Sequence, residues 1–215
     1  MIRTAVATIL FPLALLAGCA VDNPYDYSAF KAANPRSILV LPPTNSSPEV
    51  NASYSFYSHT QRPLAESGYY VLPITLVDEV FKANGLPVPD EMHKVDPARL
   101  RKIFGADAAM YIDINDYGTR YFVIGSASVV TAQARLVDLR TGALLWEGRA
   151  SASSSEQQNN QGGLAGLLIT AIVRQVAATA LDESHGVARI TSARLLSAGR
   201  DNGMLYGPLS PNYKP

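Results

Sequence analysis

The side chain with the most distinctive chemistry in this chain of 215 residues is its only thiol, Cys19, preceded by Leu16-Ala17-Gly18. Upstream lie one basic residue, Arg3, and an apolar run from Ala5 to Leu16. A charged start, a short apolar core and small residues before a cysteine form the layout of a bacterial lipoprotein signal, cut between Gly18 and Cys19. In that chemistry the thiol becomes a thioether to diacylglycerol, and the amine released by cleavage takes an acyl chain. The apolar run is too short to cross a bilayer, which takes about 20 residues. Each buried methylene contributes about 0.8 kcal/mol, and stable anchoring needs more than one chain. Two other readings stay open on the residues alone: an ordinary signal cut elsewhere, or a structural cysteine beside an uncleaved anchor.

The other reactive side chains do not assemble into a site by spacing. His59, His93 and His185 lie far apart, with no i, i+4 pair for metal ligation. No nucleophile elbow, phosphate-cradling loop or dinucleotide glycine fingerprint is present. Asp113 and Asp116 sit three apart on an expected strand, so they should point to opposite faces. Asp107, at a helix-to-strand turn, is expected to bond nearby backbone. Tyr69-Tyr70 and the Tyr54/Tyr57 pair suit core packing better than a binding groove. The expectation is therefore a protein that is not an enzyme, with no catalytic residue, no cofactor and no metal.

Composition narrows the partners. Cleavage before Cys19 leaves 197 residues with 17 basic and 18 acidic side chains, a formal charge of −1. That balance leaves no electrostatic footprint for nucleic acid. With Cys19 occupied by lipid, no disulfide and no cysteine-based zinc site can form.

The elements expected downstream follow from periodicity. Residues 1–18 are the signal, 19–36 a lipidated linker, 37–198 one folded domain, and 199–215 an extended tail. The linker, from Ala20 to Arg36, would reach roughly 55 to 60 Å if fully extended. Ser37 to Leu41 is a continuous apolar run stopped by Pro42-Pro43, the pattern of a buried central strand. Thr44 to Asn51 reads as loop, Tyr54 to Glu66 as helix, Tyr69 to Ile74 as strand, and Leu76 to Asn84 as helix. After a proline-rich loop, Asp96-Pro97 caps a helix to Phe104. From Ala108 the period becomes two, giving strands that include Arg120 to Ile124, Ser128 to Val137 and Ala143 to Ser153. A turn ending at Gly142 places Leu136 opposite Trp146, facing the core, and Arg135 opposite Glu147, facing water. Ser154 to Gly163 reads as a polar loop, with a short helix from Val187 to Leu196 near the end. Between them, Leu164 to about Asp182 reads as a long helix, with Ala, Val, Ile or Leu at 13 of the 18 positions from Leu164 to Leu181. Its first turns are apolar all round, a surface for a second subunit or for lipid as well as for the core.

With these elements placed, the chain resembles a known family, the lipoproteins typified by a meningococcal surface antigen found by genome-based vaccine searching. The residues that carry the likeness include the Cys19 motif, Ser37-Ile38-Leu39-Val40-Leu41-Pro42-Pro43 and Gly68-Tyr69-Tyr70-Val71. Others are Ile103-Phe104-Gly105-Ala106-Asp107-Ala108, Ala134-Arg135-Leu136-Val137-Asp138, Leu145-Trp146 and Asn202-Gly203-Met204-Leu205-Tyr206-Gly207-Pro208. The resemblance implies an α+β fold with a mixed or antiparallel sheet and helices on one face, similar to the amino-terminal domain of TolB and to CsgG. It also implies an accessory role in an envelope transport or secretion assembly. The partners expected are the bilayer through acylated Cys19, envelope proteins such as a CsgG-like lipoprotein, and a second copy of the chain. Ala20 after the cysteine, in place of the aspartate typical of inner-membrane retention, favours the outer membrane, with the domain facing periplasm or surface. The competing reading is a regulator of peptidoglycan synthesis.

Overall fold

An uninterrupted apolar strand must be covered on both faces, because side chains alternate across a sheet. Ser37–Val40 (β1) meets that demand: Ile38, Leu39 and Val40 are fully buried. The computed structural model describes residues 25–121, 126–158 and 180–214. In it β1 lies between two parallel neighbours, Tyr70–Val71 (β3) and Ala108–Tyr121 (β4). The two-residue strand Thr44–Asn45 (β2) also pairs with β4, further along it. Ser126–Asp138 (β5) and Leu144–Ser153 (β6) complete the sheet antiparallel, in the order β3-β1-β4-β5-β6. The α+β class with a mixed sheet is the one expected.

Two apolar clusters sandwich β1. Ile38 and Val40 join Met110, Ile112, Leu136 and Trp146 on one face. Over that face lie Ser28–Ala33 (α1), Ala52–Tyr57 (α2), Gln61–Glu66 (α3) and Ala180–Leu196 (α8), through Phe30, Phe56, Leu64 and Leu195. On the other face Leu39 and Leu41 meet Ile74–Ala83 (α4), Pro89–Met92 (α5) and Pro97–Phe104 (α6), through Phe81, Met92 and Leu100. Past β4 this second layer reaches only the end of β5, through Val137 and Leu139. Beyond it Gln133, Arg135, Glu147 and Arg149 are exposed, so β5 and β6 have helices on one face, as expected for the whole sheet. The extra layer follows from β1, whose apolar run leaves neither face fit for water.

The hairpin has the expected register, with Leu136 opposite Trp146 and Arg135 opposite Glu147. Leu136 and Trp146 are buried at 0% and 1% exposure, while the charged pair is exposed. Gly142 takes φ +75°, the left-handed region its turn position requires. Asp138 ties the turn by accepting from the Arg140 and Thr141 backbone N–H groups at 2.6 and 3.2 Å.

Several boundaries differ from the expectation. The single helix over 54–66 is two, α2 and α3, broken where the Thr60 hydroxyl donates to the Tyr57 carbonyl at 2.8 Å. The strand over 69–74 shrinks to β3, because Pro73 has no N–H for the ladder and instead leads into α4. The proline-rich loop contains α5, begun by Pro89 at its first position. The loop from Ser154 begins as a helical turn, Ser154–Gln158 (α7). The short helix expected from Val187 is already helical at Ala180, the first residue described there, and continues through Gly186 as α8. Leu164 to Thr179 lie outside the described residues, as do residues 122–125.

Candidate functional site

Three places on this scaffold bring chemistry-bearing side chains together. The first is the corner where the described chain begins. Tyr25 O–H accepts from the Glu147 backbone N–H of β6 at 3.0 Å, and the Tyr25 N–H donates to Asn202 Oδ1 at 3.3 Å. Tyr27 donates to the Gly203 carbonyl at 2.6 Å, and Phe30 of α1 is 3% exposed. The stretch from Tyr25 to Arg36, expected as linker, is therefore docked on the domain, because its aromatic side chains find apolar cover there. Cys19 and Gly18 precede the described residues. Five residues, Ala20 to Pro24, separate Cys19 from Tyr25.

Beside Tyr25 a groove of about 660 Å³ runs along the outer edge of β6, lined by Arg149, Ser151, Arg194, Arg200 and Asp201 among others. Arg194 donates to the Ser151 carbonyl at 2.8 Å and to Glu156 Oε2 at 2.6 Å. Among the described residues no strand pairs with this edge. The tail closes the groove from the other side: Trp146 Nε1 donates to the Asn202 carbonyl at 3.0 Å. It then crosses the end of the domain, where Tyr69 O–H donates to the Leu205 carbonyl and the Gly207 N–H to the Ser67 carbonyl.

The second place is the opposite edge, at β3. There Tyr70, Leu76, Val80, Ile103 and Phe104 line an apolar groove of about 570 Å³ between α4 and α6. Tyr70 is 59% exposed, Leu76 60% and Ile103 48%. Each tyrosine pair thus splits by role. Tyr69 and Tyr57 are core residues with buried hydroxyls, which pushes both phenols well above their ordinary range. Tyr70 lines a groove after all, and Tyr54 lies on the surface under Lys82, whose Nζ is 5.2 Å from the ring centre.

The third is a polar cluster that sequence spacing does not suggest. His59 and His185 stack at 4.2 Å between ring centres, brought together as α8 packs beside α2. Ser55 Oγ lies 2.7 Å from His185 Nδ1 and 2.6 Å from the Tyr117 hydroxyl. Burial first, then the His185 and Arg189 charges, hold His59 below the usual histidine range. His93 is elsewhere, against Tyr111, with Nε2 2.9 Å from the Pro42 carbonyl; burial depresses it too. Among the described residues no three His, Cys, Asp or Glu side chains are arranged to hold a metal.

Two carboxylate expectations change. A β-bulge between Ile114 and Asp116 shifts the alternation by one. Asp113 pairs across from Gln133 and Asp116 from Thr131, two apart on β5, so both acids share one face. They are separately engaged, Asp113 by the Thr44 hydroxyl and Asp116 by Arg120. Asp107 does bond backbone, but distant in sequence: Oδ2 accepts from the N–H of Arg36 and Ser37 at 3.0 and 3.1 Å. Burial alone would raise its carboxyl; these bonds, the Ser37 hydroxyl and Arg101 outweigh it and hold the carboxyl low.

Comparison with known proteins places the chain. Residues 25–209 match the family described as "Putative lipoprotein GNA1162-like". A curated lipoprotein of Neisseria meningitidis serogroup B is 43% identical over 195 residues, covering 90% of each chain. The crystal structure of lipoprotein GNA1162 from Neisseria meningitidis superposes with a TM-score of 0.54 at 46% identity, covering 67% of this chain and all of that one. The chain belongs to the GNA1162-like lipoprotein family.

Proposed function

We propose that this protein is an outer-membrane lipoprotein, anchored through acylated Cys19, whose domain is a non-catalytic interaction module of an envelope transport or secretion assembly. One observation carries the reading: the apolar groove at β3, where Tyr70, Leu76 and Ile103 are exposed side by side along one groove. A contiguous exposed apolar patch beside a strand edge that no other strand among the described residues pairs with suits a protein partner that adds an extended segment to the sheet. The main chain of β3 would supply hydrogen bonds, and the groove would take alternate side chains. The lipid contributes location, and the rigid two-layered end of the sheet contributes the binding face. A CsgG-like lipoprotein of the same envelope, or a second copy of this chain, is the kind of partner the reading names.

The test is photo-crosslinking in living cells from a reactive amino acid placed at Leu76 or Ile103. The reading expects a specific envelope protein attached from both positions, and loss of the adduct when Cys19→Ala leaves the domain unanchored. Crosslinks no different from those at an exposed control such as Gln133 would remove it. A penicillin-binding protein as the adduct would favour the regulator of peptidoglycan synthesis instead.

A further inference from the structure

We infer that the domain stands on the bilayer along its β6 edge, with the Arg149–Arg194–Arg200 groove against the lipid headgroups and the β3 groove turned away. The inference rests on acylation of Cys19, and adds an orientation to it. Six Cα steps from Cys19 to Tyr25 span at most about 20 Å. A domain of about 190 residues has a radius of gyration near 16 Å and is roughly 40 Å across. A tether that short cannot bring the far side of the domain to the membrane. What comes to the membrane is set by where Tyr25 sits, and Tyr25 is pinned at both ends of its residue, to Glu147 of β6 and to Asn202 of the tail. β3 lies across the sheet, four strand spacings or roughly 19 Å from β6, so turning it to the lipid would hold the tether at full stretch, which its chain entropy opposes.

The chemistry of the corner fits a wet, polar lipid surface. The outward row of β6 has Glu147, Arg149 and Ser151, with no large apolar side chain among them. Arg149 and Arg200 are exposed in the groove, and guanidinium groups pair well with phosphate, the group lipid headgroups offer. Glu147 and Asp201 line the same groove, and Glu156 holds Arg194, so charge is close to balanced. The tether, not net attraction, therefore sets the orientation, and salt should leave it in place.

The acylated full chain allows a clean measurement, because the thioether consumes its only native thiol. A spin label is attached at Arg200→Cys, or at Arg149→Cys as a second near position, and separately at Lys102→Cys on α6. The labelled proteins are placed in vesicles of phosphatidylethanolamine and phosphatidylglycerol containing a nickel-chelating lipid. Relaxation enhancement several-fold larger at both near positions than at position 102, unchanged by 0.5 M salt, is the expected result. Equal enhancement at all three positions, with acylation verified by mass, overturns the orientation alone. Absence of the acyl mass overturns the anchor and the orientation together.

Discussion

At one edge of the sheet, ten-residue β6 presents Glu147, Arg149 and Ser151 to solvent, and its exposed backbone groups are partly met by Tyr25 and Arg194. At the other, two-residue β3 leaves Tyr70 beside Leu76 and Ile103, all large, apolar and exposed. Long edge strands invite unwanted pairing, and polar side chains with local caps are the usual defence. The β6 edge has that defence; the β3 edge, though short, has an apolar groove alongside. The difference separates an edge kept from protein pairing from one suited to it. The tail spans both, from Asn202 at Trp146 to Leu209, whose N–H donates to the Gly68 carbonyl.

The largest effect should come from removing the packing beneath the β6 edge. Trp146→Ala deletes a fully buried ring and leaves the Asn202 carbonyl without its donor, so unfolding free energy should fall by about 3–5 kcal/mol in urea titration. A loss under about 1 kcal/mol would mean that this edge is not held by the core. Next comes the tail. Gly68 has φ +94°, and an added Cβ would lie 2.4 Å from the Ser210 backbone nitrogen. Gly68→Ala should cost about 1–3 kcal/mol and speed proteolysis after residue 198, loosening the strap near β3 while β6 stays protected in hydrogen exchange.

The two-layered end can be tested through Asp107. Asp107→Ala strips two N–H bonds from the start of β1, a loss of about 1–3 kcal/mol, and should raise exchange at β1 and β3 more than at β6. Acidity gives a smaller and distinct effect. His59 and His93 have folded pKa values below the unfolded value, so the unfolded state binds more protons as pH drops below about 6.5. Stability contributed by their neutral forms is therefore present above that pH and lost as pH falls, more through the more deeply buried His93 than through His59. His93→Gln should flatten the slope below about pH 6.5; an unchanged slope would place the acid sensitivity elsewhere. Smallest of all, Leu76→Asp should shift stability by no more than about 0.5 kcal/mol while abolishing the crosslink at the β3 groove.

Local patterns were readable where one physical demand dominates. The β1 run, the Asp96 cap and the β5–β6 register all follow from residues within a few positions of each other. Asp96 Oδ1 accepts from Ala98 and Arg99 as its spacing before Pro97 requires. What escaped was decided by contacts far apart in the chain. Nothing within 126 residues of sequence ties His59 to His185; only the packing of α8 on α2 does so. The bulge that puts Asp113 and Asp116 on one face inserts Asn115, which no alternation rule foresees. Tyr25, Tyr27 and Phe30 look like linker residues until Asn202, Gly203 and the main cluster supply their partners. The reading of Cys19 comes from spacing alone, and the residue lies outside the described residues.

Mass spectrometry of the amino-terminal peptide from membrane-extracted protein tests the central claim most directly. The account predicts a chain beginning at Cys19, with a diacylglycerol thioether on Sγ and a fatty acyl amide on its nitrogen, recovered with the outer membrane. A free Cys19 thiol, or a chain beginning at any other residue, would contradict it.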